Sequence, residues 1–266
     1  MGLAVGFGRR YQYAMLNTIT HGDPTSLPPL LIAHGLYGSA RNWGVVARRL
    51  ADERQVVAVD MRNHAYSKWD DRHDYPALAD DLAEVIDSLG GRADVLGHSM
   101  GGKAAMTLAL THGVRVNKLV VADIAPVTYG HSQMPYIEAM RAVDMAQVHR
   151  RSDAERLLAE QGVEKALQSF FTQSLDVAGK RWRLNLDVLA KEMPRIMGFP
   201  DIDAVWDGPA LFLTGTESDY VRPEHRTTIR SLFPNARFAK IPGAGHWLHS
   251  EKPREFEAAV RTFLNA

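Results

Sequence analysis

Gly97-His98-Ser99-Met100-Gly101 sets a serine between glycines where an apolar run ends and a small-residue stretch, GGKAAMTLAL, begins. A hydroxyl at the apex of a sharp strand-to-helix turn is held exposed in strained dihedrals. The flanking glycines admit neighbouring backbone that a Cβ would block. Ser99 is therefore read as a nucleophile in a G-x-S-x-G elbow. Five letters recur by chance, and a glycine-rich turn with an idle serine is the alternative. The strand-turn-helix setting favours the elbow.

A serine hydroxyl is too weak an acid to attack unaided at neutral pH and needs a base. Of eleven histidines, His246 lies in IPGAGHW, on a glycine-rich loop after the last apolar run, where an imidazole can reach over a sheet edge. His249 is close by, but no metalloprotease-type carboxylate pattern accompanies the pair, so no metal is expected. His98 is the variable position of the elbow and is read as packing. His64, in DMRNHAYS, is either structural or at the rim of the site. The base in turn needs a carboxylate to fix its tautomer and stabilise the imidazolium. Asp123 ends KLVVAD and Asp219 sits in GTESDYV; both keep the order Ser…Asp…His, and periodicity leaves both open. The oxyanion needs two backbone N–H donors. Met100 follows the nucleophile, and Leu36 sits in the tight turn His34-Gly35-Leu36-Tyr37-Gly38. One such donor contributes about 3–4 kcal/mol to the transition state.

Elements must bring these groups together. Short apolar runs at 30–33, 56–59, 93–96, 119–122, 210–213 and 237–241 read as strands, several continuous rather than alternating, as parallel strands covered on both faces are. Helical spacing appears at 42–50, 78–89, 101–110, 224–233 and 251–264, and residues 11–19 read as an antiparallel edge. The expected fold is α/β, a mostly parallel central sheet flanked by helices. The rhythm breaks between Ile124-Ala125-Pro126 and Gly208-Pro209. Only helix patterns appear there, at 135–148, 152–160, 163–172 and 183–193. This predicts a core from 1–126 and 207–266, with 127–206 as a helical cap. Tyr129, Phe170 and Trp182 from the cap, with His34, Tyr37 and Trp247 from the core, are candidate pocket residues. Met134, Tyr136, Phe171, Phe199 and Trp206 are further large side chains that could line a pocket or pack cap on core.

Composition narrows the partners. The chain has 266 residues, 31 Lys plus Arg against 31 Asp plus Glu, and no cysteine. A net charge of zero gives none of the basic excess that nucleic acid or anionic membranes demand. Without cysteine there are no disulfides, thiolate nucleophiles or zinc-thiolate sites. No apolar run approaches the roughly 20 residues of a membrane span, and MGLAVGFGRR has its charges in the wrong order for a secretory signal. The expectation is a cytoplasmic protein with a small-molecule substrate and no cofactor; its oligomeric state is not legible.

Five stretches, HGLYGSARNW, DMRNHAYS, GHSMGGKAAM, VVADIAP and GAGHWLHSEKP, fall in the order and spacing of the α/β-hydrolase superfamily. More narrowly, the chain resembles bacterial YbfF-type esterases and their eukaryotic relatives. That resemblance implies Ser99 as nucleophile, His246 as base and Asp123 as acid. Many other α/β-hydrolases carry the acid three residues before a Val or Ile after the next strand. Counting back from Val221, that position is Ser218 here, and Asp219 is one step off. Ala65 stands where relatives commonly have Gly. The implied activity is a serine carboxylesterase on small acyl esters or thioesters. Carbon–carbon hydrolysis, lactone opening and cofactor-free perhydrolysis are alternatives on the same fold, and a non-catalytic binding protein is a third reading.

Overall fold

The structure, a computed structural model, describes residues 16–266. The described residues form nine strands: β1 (Thr18–His21), β2 (Leu30–Ala33), β3 (Val56–Val59), β4 (Ala93–His98), β5 (Val116–Ala122), β6 (Leu175–Asp176), β7 (Arg181–Trp182), β8 (Ala210–Gly215) and β9 (Ala236–Ile241). Seven of them form one sheet in the order β1-β3-β2-β4-β5-β8-β9. Only β1 runs antiparallel, against β3; the other neighbours are parallel. The edge expected over 11–19 is therefore realised at Thr18–His21, and residues 11–15 lie outside the described residues.

The continuous apolar runs are explained by what covers the sheet. Side chains alternate across a strand, and both sets are buried. Leu31, Val57, Val95, Val121 and Phe212 pack toward one face with α2 (Tyr75–Ser88) and α3 (Met100–Thr111). Leu30, Ile32, Val56, Leu96 and Leu213 pack toward the other, against α1 (Gly44–Leu50) and α11 (Pro253–Leu264) through Trp43, Leu50, Phe256 and Val260. Helix α2 starts where the Asp74 side chain accepts from Ala77 N–H (2.9 Å), with Pro76 in its first turn, and stops before Gly90-Gly91.

Between β5 and β8 the chain leaves the sheet for α4 (Met134–Arg141), α5 (Arg151–Glu160), α6 (Lys165–Thr172), α7 (Leu186–Lys191) and α8 (Met193–Met197). It then returns for α9 (His225–Leu232) and α10 (Leu248–Glu251). This stretch is not helices alone, because β6 and β7 form a hairpin within it. Two-residue strands are too short to show a period of two. The helix expected over 183–193 also starts late and breaks. Arg183 N–H donates to Ser174 O (2.7 Å) and Leu184 bridges His64, which keeps those residues extended, and Pro194 opens a new helix. Among the described residues no helix is long and apolar enough to cross a membrane.

Candidate active site

The parallel strands end in loops at one edge of the sheet, and those loops carry the predicted chemistry. Ser99 follows β4 with φ 52° and ψ −120° and caps α3. The turn is as tight as its glycines allow. A Cβ on Gly97 would lie 2.2 Å from Gly101 O, and one on Gly101 would lie 2.3 Å from Ala33 O. The first would push the start of α3 off the end of β4 and the second would push the turn away from β2, so the elbow glycines are set by backbone approach.

Asp123 follows β5, also at positive φ (52°), and is fully buried. Its Oδ2 accepts from His246 Nδ1 (2.8 Å) and from the Ser218 hydroxyl, and its Oδ1 accepts from Gly215 N–H (3.3 Å). With Nδ1 donating, Nε2 of His246 is left as the basic nitrogen. Tyr220 stacks on the imidazole, centroids 3.9 Å apart at 18°. His98 is more than packing: its Nε2 donates to His246 O (2.8 Å), tying the elbow to the His246 loop. Asp219, the competing acid, is exposed, and the His246 ring is turned to Asp123 instead. The sequence marks Ser218 only as the place where an acid is usual; the structure puts its hydroxyl on Asp123.

The turn after β2 lies against Ser99. A Cβ on Gly35 would be 3.3 Å from Ser99 Cβ. Gly38 N–H closes the turn on Gly35 O (3.0 Å), and Tyr37, at φ 65°, donates its N–H to His64 Nε2 (3.2 Å). The Leu36 N–H takes no part in these bonds. His34 Nδ1 donates to Gly35 O (2.8 Å) while its Nε2 accepts from Met61 N–H (2.9 Å). His64 likewise donates from Nδ1 to Arg62 O (2.9 Å). Each ring thus uses one nitrogen as donor and one as acceptor, which only the neutral form can do. Burial pushes His34 down to about 4 and His64 to about 3. His64 is therefore a buried brace of this turn rather than a rim residue.

A cavity of about 250 Å³ holds Ser99, Met100, Leu36 and His246 together. Its apolar wall includes Tyr129, Leu167, Phe170, Phe171 and Ile196, and His34, Tyr37 and Trp247 also line it. Trp182 does not belong to it: the indole is buried and donates to Met140 O (2.8 Å), a packing role between α4 and the hairpin. Lys103, one turn into α3, does line it, and no sequence signal singled it out. It is 1% exposed, its Nζ donating to Val127 O (2.9 Å), Met197 O (2.9 Å) and Gly198 O (2.5 Å), and burial lowers its pKa to about 7. Among the described residues no group of three or more His, Asp or Glu is placed to hold a metal ion.

Sheet order, elbow and loop chemistry together define a class, and the alpha/beta hydrolase family model matches residues 30–259. The chain belongs to the α/β-hydrolase family and is a hydrolase. It is 42% identical over 254 residues to the sn-1-specific diacylglycerol lipase ABHD11 of Mus musculus, covering 91% of this chain and 82% of that one. It is 41% identical to esterase YbfF of Escherichia coli strain K12, covering 89% and 93%. Among solved structures, a marine microorganism esterase is 37% identical with a TM-score of 0.88, covering 94% of this chain and 99% of that chain. The resemblance to YbfF-type esterases read from the five stretches is borne out.

Proposed function

We propose that the protein is a serine carboxylesterase working through Ser99, His246 and Asp123. The observation that carries this reading is the 2.8 Å His246–Asp123 hydrogen bond at the edge of a cavity that also holds the strained Ser99. Ser99 Oγ attacks the ester carbonyl while His246 Nε2 takes its proton, and Asp123 holds the imidazolium through Nδ1–H. The Leu36 and Met100 N–H groups receive the oxyanion, each supplying about 3–4 kcal/mol. His246 returns its proton to the leaving alcohol, then activates water to release the acyl group from Ser99. Thioesters of the same acyl groups fit the same sequence of steps.

Residues 127–206 serve, on this reading, as a cap over the core formed by 1–126 and 207–266. Support comes from Phe170, Phe171, Ile196 and Met197, which reach the cavity from the segment between β5 and β8. A cavity of this size, with an apolar wall, fits short and medium acyl chains better than long ones. Hydrolysis of p-nitrophenyl esters from acetyl to palmitoyl by wild type and Ser99→Ala tests the proposal. The expected result is turnover of the shorter chains and a loss of about 10³-fold or more in the folded variant. Equal rates for the two proteins would remove Ser99 from the mechanism.

A further inference from the structure

A second cavity, of about 180 Å³, lies beside the first. A side-chain hydrogen bond links their walls: Asn42, on the first cavity, donates from Nδ2 to Gln173 Oε1 (2.6 Å), on the second. The turn after β2 runs through the same wall, with Gly38 facing one side and Ser39 the other.

The charge on the second cavity is lopsided. Arg41, Arg151 and Arg183 line it against one carboxylate, Asp176. That carboxylate is already engaged by Arg183 Nη2 (2.9 Å), Arg181 Nε (3.6 Å) and Gly179 N–H (3.0 Å). Arg41 and Arg151 have no ion-pair partner among the described residues. Tyr66 is 56% exposed, and the Arg183 guanidinium lies 4.3 Å from its ring centroid. Ring and carboxylate therefore hold Arg183 in one orientation, while Arg41 and Arg151, without ion-pair partners, line the same concavity. Arginine forks match the oxygens of a phosphate in charge and in bidentate geometry. An ordinary solvated arginine face is neither concave nor centred on an exposed aromatic ring.

We propose that this cavity binds a phosphate group, carried by the substrate so that it enters on the Asn42 side while the ester is held at Ser99. The substrate part of this inference rests on the esterase reading above; the phosphate site does not. Its elements come from distant parts of the chain, the turn after β2, the loop after β3, the start of α5 and the β6–β7 hairpin, so no contiguous motif announces it.

The test compares wild type with the double variant Arg41→Ala/Arg151→Ala, both positions being exposed and outside the catalytic set. Two substrates are used, monobutyrylglycerol and its phosphate monoester on the far hydroxyl. The proposal expects the variant to lose about 10- to 100-fold in kcat/KM on the phosphorylated ester, mostly in KM, with the neutral ester within about twofold. Calorimetric titration with inorganic phosphate at constant ionic strength supplies the second readout. Wild type binds and the variant does not. If phosphate binds but the two esters are hydrolysed alike, the site takes free phosphate and the substrate part is overturned. If neither ester is turned over while phosphate binds, the esterase reading fails and the site stands. No phosphate binding, together with no selective loss on the phosphorylated ester, overturns the site.

Discussion

Asp123 gathers hydrogen bonds from three donors: the His246 ring, the Ser218 hydroxyl and the Gly215 N–H. A carboxylate fixed on both oxygens offers the imidazole a single orientation, which is what a triad acid must do. Asp123→Asn should therefore reduce kcat by about 10³- to 10⁴-fold through the wrong tautomer, with Asp219→Asn within about twofold of wild type. Matched kcat measurements decide it, and a large loss in the Asp219 variant with a mild one at Asp123 would reverse the assignment. The proposed nucleophile and base are legible as local motifs, because an elbow and a glycine-rich loop each leave their mark within ten residues. Asp123 needed the family resemblance, since two aspartates kept the same chain order. Ser218 and Tyr220 were not legible as partners because their roles depend on how the loop after β8 folds against His246.

At the scale of elements, β2, β3 and β8 are legible nearly to their ends because a parallel strand buried on both faces is apolar almost without interruption. The β6–β7 hairpin and the split of α7 from α8 escaped, being set by tertiary bonds rather than by local pattern. Trp182 was misplaced for the same reason: an aromatic residue looks alike whether it lines a cavity or packs behind it. Lys103 shows how α3 is joined to the segment above it. One ammonium binds carbonyls at both ends of that segment, Val127 and Met197–Gly198, and lies 4.7 Å from the Tyr129 ring centroid. Burial lowers the Lys103 pKa from 10.5 to about 7. The unfolded chain thus holds a proton between pH 7 and 10.5 that the folded chain has released, so this group's contribution to stability rises with pH across that window. Relative to Lys103→Met, wild type should gain up to about 3 kcal/mol between pH 7 and 9.5, as measured by urea unfolding. A pH-independent difference would show instead that Lys103 keeps its proton in the fold.

Across the whole molecule, zero net charge conceals unusual burial: His34, His64, His73, His98 and His249 are all within the interior. Burial pushes His34 to about 4 and His64 and His249 to about 3, with His73 and His98 well below the ordinary value. The folded state stays neutral where the unfolded chain takes up protons below about pH 6.5. Stability is therefore fullest above that pH and declines as pH falls, by up to about 2 kcal/mol per histidine at pH 5. Several such groups together approach the whole stability of a typical domain, so cooperative loss of structure is expected between about pH 6 and 4.5 by circular dichroism. A stability curve flat from pH 7 to 5 would show that these rings protonate in place. The central claim is that Ser99 is the nucleophile His246 activates, and reaction with a fluorophosphonate followed by intact-mass and peptide mapping tests it directly. A single adduct on the Ser99 peptide, absent in Ser99→Ala and greatly slowed in His246→Ala, is the predicted result; equal labelling of Ser99→Ala, or an adduct on another residue, would contradict it.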